Sequence, residues 1–316
     1  MFKKCVLVWC AALLSMFLVS RVHAQVTVPC QVSFGPVQPA GLALDTVHQS
    51  VWVTMFHGNQ VFELSASNCS TMRVINTGIN PLGVAFDGTN VWVANYGSNT
   101  VMKINAGTGA VVGTFPVGAN PRGVTFDGNN IWVANYSSNT VTRINVIGGS
   151  TATFPVGSGP YFLTFSPTDN RIYVPNVNGN TVTVLDPVSG AQVRTIITDS
   201  QSVYMTPGRA GTVWVSCYNS QKVDEISTSN GAIILRATPP HSGPTGIAYD
   251  PAAGFLYGVT NSGYFYAVDE AGTVRFSVFR GGGNHAQYDI VLDNINIPAS
   301  LFTTDIGSGF VAKLNP

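Results

Sequence analysis

Eight residues of this chain have side chains suited to binding or catalysis and interrupt an otherwise regular sequence. Imidazole and carboxylate groups can transfer protons or hold metal ions, whereas arginine, tyrosine and amide groups bind polar ligands. The set is His57, Arg122, Tyr161, Gln201, His241, His285, Tyr288 and Asp289. We expect any binding site of the protein to use these residues.

Within this set, the strongest catalytic candidates are His285 and Asp289, followed by His241. His285 and Asp289 lie in the segment NHAQYD, where a loop could bring imidazole and carboxylate together. Within hydrogen-bond distance, the pair could act as a general base or supply two metal ligands. The simpler alternative is that these are ordinary polar loop residues. We predict no cofactor, and a divalent metal at Asp289 is the alternative.

These residues are set in a sequence that repeats about every forty residues. The segment PLGVAFDGTNVWVANYGSNTVMKIN, from Pro81, is followed by PRGVTFDGNNIWVANYSSNTVTRIN, from Pro121. Each repeat contains four short apolar runs separated by Gly, Asn, Asp and Pro, and none has helical spacing. Four strands in a repeat of this length are typical of a β-propeller blade.

Seven repeats align on one aromatic residue of the second strand. At spacings of 40 to 45 residues, these are Trp52, Trp92, Trp132, Tyr173, Trp214, Tyr257 and Phe302. The last repeat ends after its third strand, and the N-terminal segment QVSFGPVQPAG resembles a fourth strand. We therefore predict an all-β, seven-bladed propeller closed by its N-terminal strand, with blades that start near residues 39, 81, 121, 160, 200, 244 and 287.

Residues that recur in the repeats are expected to build the blades. The aromatic residue of the second strand should pack between neighbouring blades. Gly83 and Gly123 begin the innermost strand, where a missing side chain lets backbones approach closely. Asp87 ends that strand and should accept backbone hydrogen bonds in the turn, and Asn99 should satisfy a later turn or adopt a positive φ.

The residues that break the repeat fall on one face of the predicted ring. On this face, the connections into first strands and those between second and third strands surround the mouth of the central channel. Arg122, Tyr161, Gln201 and Tyr288 align at one rim position of four repeats, and Asp289 stands at the position of the inner glycine. Because ligand sites of propellers usually lie on this face, we predict a ligand-binding rim there.

Residues 1–24 have the pattern of a secretory signal peptide. Lys3 and Lys4 precede an apolar run from about Val6 to Val19, and a small residue, Ala24, suits signal peptidase. The alternative is an uncleaved membrane anchor, but the run is shorter than the roughly 20 residues of a spanning helix. We predict a secreted or periplasmic domain of residues 25–316, without stable membrane insertion.

The composition argues against nucleic acid as a partner. Basic and acidic residues number 15 each, and removal of residues 1–24 takes away three basic residues and no acidic one. The mature chain therefore has a net charge of about −3 and lacks the positive charge that phosphate backbones require.

Three cysteines follow the signal segment. Cys30 lies in the predicted closing strand, and Cys69 lies between the third and fourth strands of the first blade. In an oxidising compartment the two could form a disulfide that locks the ring, or remain free thiols. We expect Cys217 to be a buried, unreactive thiol. The chain has no CxxC motif, so neither a zinc site nor a redox pair is predicted.

The segments VWVANYGSNTVMKIN and IWVANYSSNTVTRIN resemble the repeat of the YVTN β-propeller family, in which Tyr-Val-Thr-Asn precedes Ser-Asn-Thr-Val. Trp-Val-Ala-Asn replaces the tetrad here. The resemblance covers residues 39–316 and implies the propeller fold. Related propellers include NHL-repeat proteins, the SMP-30/gluconolactonase group and virginiamycin B lyase, so the resemblance is compatible with both binders and enzymes.

The sequence does not contain the complete active site of either enzyme group. Resemblance to virginiamycin B lyase implies a histidine and a glutamate on the ligand face, usually with magnesium. Glu63, Glu225 and Glu270 instead fall in or just after third strands. A lactonase needs several carboxylate and Asn ligands around a metal ion, and Asp289 alone does not supply them. We predict an exported, non-enzymatic propeller whose rim binds an unknown protein, a cell-envelope polymer or a small molecule.

Overall fold

The computed structural model describes residues 27–35, 37–241, 243–279, 287–293, 300–305 and 310–315. The predicted signal peptide lies outside these residues. The described part contains 28 strands in seven four-stranded antiparallel sheets, and no helix. The N-terminal strand β1 (Thr27–Ser33) pairs with β28 (Phe310–Asn315) and completes the sheet of β26 (Gln287–Asp293) and β27 (Ser300–Asp305). The predicted seven-bladed propeller closed by its N-terminal strand is confirmed.

Each of the first six blades consists of four strands in chain order, and the first strands of neighbouring blades contact one another around the axis in all seven. The first three blades contain β2–β13, with the bounds Pro39–Asp45, Ser50–Met55, Gln60–Ser65, Thr71–Asn76, Pro81–Phe86, Asn90–Asn95, Thr100–Asn105, Val111–Pro116, Pro121–Phe126, Asn130–Asn135, Thr140–Asn145 and Thr151–Pro155. The fourth to sixth blades contain β14–β25, with the bounds Thr164–Ser166, Arg171–Asn176, Thr181–Leu185, Gln192–Ile197, Ser202–Pro207, Thr212–Cys217, Lys222–Ser227, Ile233–Ala237, Pro244–Asp250, Phe255–Thr260, Tyr264–Asp269 and Val274–Phe279. The seventh blade joins β26 (Gln287–Asp293), β27 (Ser300–Asp305) and β28 (Phe310–Asn315) to β1 (Thr27–Ser33).

The aromatic residue of each second strand packs against the next blade, as the sequence predicted. Trp52 clusters with Val91 and Ile104 of the second blade, and Phe302 of the last blade clusters with Val51 of the first. The side chains of Trp52, Trp92, Trp132 and Phe302 are fully buried. The hydrophobic core is therefore a ring of contacts between blades.

An aspartate holds the turn after the inner strand. Oδ1 of Asp87 accepts hydrogen bonds from the backbone N–H groups of Thr89 and Asn90, at 2.9 and 2.6 Å. The sequence predicted these bonds but missed a third, in which Nε1 of Trp92 donates to Oδ2 of the same carboxylate at 2.7 Å. Asp127 and Trp132 repeat the arrangement. One carboxylate thus satisfies both the turn and the buried indole.

The fifth blade shows what happens without this aspartate. Strand pairing places Gly208 at the position of Asp127. Nε1 of Trp214 is accordingly buried without a hydrogen-bond partner.

Glycine at the start of the inner strand is required by the crowding at the axis. A Cβ atom added to Gly83 would lie 2.1 Å from the carbonyl oxygen of Arg122 in the next blade. Because no side chain can occupy that space, the expected close approach of backbones is confirmed at this position.

Cationic side chains also link neighbouring blades. In each contact, a lysine or arginine donates to backbone carbonyl oxygens of the turn between the third and fourth strands of the next blade. The donors and acceptors are Lys313 to Ala66, Arg73 to Ala106 and Gly107, Lys103 to Val146, Arg143 to Pro187 and Val188, and Arg194 to Thr228 and Ser229, at 2.6 to 3.2 Å. These contacts leave few cations for other roles.

Several contacts close the ring between the last and first blades. Oγ1 of Thr304 donates to the carbonyl oxygen of Ala40 at 3.1 Å. A disulfide joins Cys30 of β1 to Cys69 of the first blade, with Cα atoms 5.8 Å apart. The disulfide therefore connects the closing strand to the neighbouring blade.

The variant Trp132→Ala tests the packing between blades. Loss of this fully buried side chain should lower the free energy of unfolding by about 3–5 kcal/mol, because a cavity remains between two sheets. Urea unfolding measures the change. Ile147→Ala is the control, since Ile147 is 94% exposed and should change stability by less than about 0.5 kcal/mol. Equal losses from both variants would contradict the packing.

The double variant Cys30→Ser/Cys69→Ser tests the ring closure. The two cysteines are 39 residues apart, and release of a loop of this length should cost about 4 kcal/mol of stability through unfolded-state entropy. Thermal unfolding with and without reductant measures the effect, and reductant should not change the double variant. Peptide mapping that finds Cys30 and Cys69 unlinked in protein purified without reductant would contradict the disulfide.

Candidate functional site

A pocket of about 290 Å³ lies on the predicted ligand face, beside the channel mouth. It spans the third to sixth blades. The start of an inner strand contributes Arg122, and segments that lead into inner strands contribute Tyr161 and Gln201. The connections after second strands contribute Tyr136 and Asn178, among others. We call this the rim pocket. It brings together three of the residues that the sequence singled out.

Arg122 lies among three tyrosines at one side of the rim pocket. Its guanidinium carbon lies 4.4 Å from the ring centroids of both Tyr136 and Tyr161, and 5.1 Å from that of Tyr96. The electron-rich ring faces stabilise the cation. Nε of Arg122 is nevertheless buried without a hydrogen-bond partner, and no carboxylate among the described residues forms an ion pair with this side chain. Arg122 is thus held in place, while its side chain makes no hydrogen bond within the described part of the chain.

The rim pocket lies where the seven-fold regularity fails. Phe162 and Tyr204 occupy the inner-strand position that is Gly123 in the third blade. Their rings stack, with centroids 4.1 Å apart and planes at 10°. Tyr204 borders both the rim pocket and an apolar cavity of about 270 Å³ inside the channel. Two aromatic residues therefore occupy, in adjacent blades, the position that is glycine in the second and third blades.

The backbone of the fourth blade adapts to these rings. Its inner strand β14 has three residues, whereas the inner strands of other blades have six or seven. The preceding segment bonds to both neighbouring blades instead: the carbonyl oxygen of Tyr161 accepts from N–H of Gly123, and N–H of Phe162 donates to the carbonyl oxygen of Val203, both at 3.2 Å. These bonds position Tyr161 over the pocket.

Amide and phenol groups line the rest of the pocket. Nδ2 of Asn178 donates to the hydroxyl oxygen of Tyr136 at 3.3 Å, and Nδ2 of Asn261 donates to that of Tyr218. The side-chain amide of Gln201 has no hydrogen bond within the described part of the chain. The lining from described residues contains no Asp, Glu or His. Such a surface can bind polar groups, and tyrosine hydroxyls are the proton-transfer groups of its described lining.

The histidines that the sequence predicted at the site either lie away from the rim pocket or fall outside the described residues. His57 is exposed next to Phe56, with ring centroids 4.9 Å apart. His241 is exposed, has a φ of 81° and stacks on Tyr264 at 3.5 Å. Neither lines the pocket. His285 lies outside the described residues, so its expected pairing with Asp289 stays a prediction.

Tyr288 and Asp289 lie in the inner strand β26, and their side chains are outside the described part. Their roles at the rim, and a metal at Asp289, remain predictions. Among the described residues, no group of three or more His, Cys, Asp or Glu side chains is arranged to hold a metal ion.

The predicted alignment of Gln201 with Arg122 is wrong. Strand pairing makes Ser202 the counterpart of Pro121, so Val203 is the counterpart of Arg122. Gln201 instead has a φ of 58°, close to the 54° of Asn120. The alignment failed because the inner glycine, on which it depended, is a tyrosine in this blade. Gln201 still lines the rim pocket.

The sequence interpretation missed Tyr96, Tyr136 and Tyr218. Each is the first residue after a second strand. Residues that recur in the repeats were expected to build the blades. Their position on the ligand face was the available signal, since aromatic residues of adjacent blades converge at that edge of the channel.

The glutamates do not reach this face. Glu63 and Glu225 are buried in third strands, where Glu63 accepts a hydrogen bond from Ser50 and Glu225 pairs with Arg209 at 2.8 Å. Glu270 follows a third strand and accepts from the hydroxyl of Tyr249. Their placement agrees with the sequence prediction, and their partners are structural.

Cys217 is a free, buried thiol. Burial, aided by the nearby charge of Asp224, raises its pKa to about 12. The thiol therefore stays protonated at neutral pH and is a poor nucleophile, in line with the sequence prediction.

No helix among the described residues is both long and apolar enough to cross a membrane.

The fold is similar to that of a solved structure described as a streptogramin B lyase. The TM-score is 0.77 at 17% sequence identity, and the match covers 90% of this chain and 97% of that chain. At this identity the likeness shows the shared propeller fold alone. No protein-family model and no curated protein matches the chain.

Proposed function

We propose that the protein is an exported, non-enzymatic β-propeller that binds a ligand in the rim pocket. The observation that carries this proposal is the composition of the pocket. It combines tyrosine rings, amide groups and an arginine that has no hydrogen-bond or ion-pair acceptor in the described part of the chain, and its described lining lacks acidic and histidine side chains. This combination favours binding over acid–base catalysis.

The ligand is held, in this proposal, by a rigid platform. The tyrosines around Arg122 come from three adjacent blades, and the inner strands beneath them are bonded across blades. Preorganised groups lose little entropy when a ligand binds, so a small pocket can be effective.

Blocking the rim pocket tests this function. Asn178 is exposed at its edge, and Asn178→Trp should fill the opening without disturbing a core. Capture of ligand from the native exported fraction, including small molecules released on denaturation and identified by mass spectrometry, should fall strongly. The melting temperature should change little.

The matched control is Ile147→Trp, which introduces the same side chain on the opposite face, between a third and a fourth strand. It should capture ligand as the unchanged protein does. Equal capture by both variants and the unchanged protein would refute the proposed use of the pocket.

The second candidate is a lyase, favoured by the propeller likeness to the streptogramin B lyase structure. Incubation with a streptogramin B, followed by chromatography and tandem mass spectrometry, would separate the linear product from the cyclic substrate. We expect no linear product. Ring opening that disappears in His241→Ala or His285→Ala would instead establish the enzyme.

A further inference from the structure

Resting on this proposed binding function, we infer that the rim pocket takes an acidic saccharide, whose carboxylate is recognised by Arg122. The ligand class follows from three properties of the pocket: its one unpaired cation, its unused N–H donors and its amide and aromatic lining.

Arg122 differs from the cations that the structure uses for its own stability. Arg209, Arg236 and Arg275 donate to carboxylates at 2.6 to 2.9 Å. Arg73 and Arg143 donate to carbonyl oxygens of the next blade. Unlike these five arginines, Arg122 has neither kind of acceptor within the described part of the chain. A partly buried charge without an acceptor is costly, and an anionic ligand would remove that cost.

The tyrosines hold the cation without consuming its donors. The contacts with Tyr96, Tyr136 and Tyr161 are made through ring faces at 4.4 to 5.1 Å, and cation–π contacts use charge rather than N–H groups. The planar fork of guanidinium donors matches a carboxylate, which can accept two parallel hydrogen bonds. Arg122 is therefore prepared for a planar oxyanion.

The rest of the lining suits a ring that carries hydroxyl groups. Asn178, Gln201 and Asn261 offer amide donors and acceptors, while Tyr204 and Tyr218 offer aromatic surface. Amides can bond hydroxyl groups in both directions, and aromatic rings cover the apolar face of a sugar. The volume of about 290 Å³ is near the lower limit of ligand pockets, which suits one or two sugar rings.

Titration calorimetry with galacturonate and its dimer and trimer, beside galactose and its neutral oligomers, tests this inference on the mature protein. The acidic sugars should bind more tightly than the neutral ones. Arg122→Gln should weaken binding of the acidic sugars by about tenfold or more, because a charge-assisted hydrogen bond is lost. Arg122→Lys should lose less, since it keeps the charge but not the fork.

Arg171→Gln is the matched control. Arg171 forms a half-buried ion pair with Asp186, at 3.1 Å on the opposite face, and its loss changes the net charge equally. It should leave the affinity unchanged. The melting temperature of each variant shows whether a lost affinity reflects unfolding, and Arg122→Lys remains informative if Arg122→Gln fails to fold.

The comparison of galacturonate monomer, dimer and trimer distinguishes two sources of the acidic sugar. An affinity that rises from monomer to trimer supports an acidic polymer, and one already complete with the monomer supports a free sugar acid. Equal binding of neutral and acidic sugars, or no binding of any galacturonate at about 1 mM, overturns the inference. The proposed function would survive that result if Asn178→Trp still abolishes ligand capture, and it fails separately if capture is unaffected.

Discussion

The structure depends on hydrophobic packing between successive blades. A single four-stranded sheet cannot bury both faces, so each blade completes the core of its neighbour. The clusters show this sequence of contacts: Trp92 packs with the third blade, Trp132 with the fourth and Tyr257 with the seventh. Because every blade needs a neighbour to cover its apolar face, the last blade must pack against the first. The pairing of β1 with β28 completes that last blade. Burial of large aromatic side chains thus explains both the repeat and the use of the N-terminal strand.

Closure creates crowding at the axis, and this crowding determines where a site can form. Seven inner strands meet there, and close backbone approach requires glycine, as at Gly83. The fourth and fifth blades carry Phe162 and Tyr204 at that position. The two rings stack, and the inner strand of the fourth blade is the shortest of the seven. The rim pocket therefore lies beside a local departure from the glycine rule seen at Gly83 and Gly123.

Charge is distributed according to the same architecture. Many cations bind carbonyl oxygens between blades, and buried carboxylates have partners of their own, such as Arg236 for Asp224. Ionic groups used in this way contribute to assembly of the ring and are unavailable to ligands. Arg122 lies outside this network and faces the pocket. Arg122 differs from these cations because its side chain has no hydrogen-bond or ion-pair acceptor among the described residues.

The sequence by itself determined the blade number, the strand order, the closing strand and the structural roles of residues such as Trp132 and Asp127. These properties follow from local periodicity, since every repeat must satisfy the same packing and turn requirements. It also identified Arg122, Tyr161 and Gln201 as departures from the repeat. Only the tertiary structure decided which departures meet, because convergence depends on neighbouring blades and on strand register. It added Tyr136 and Tyr218 to the pocket, and placed His57 and His241 outside it, since their blades direct them to other parts of the rim.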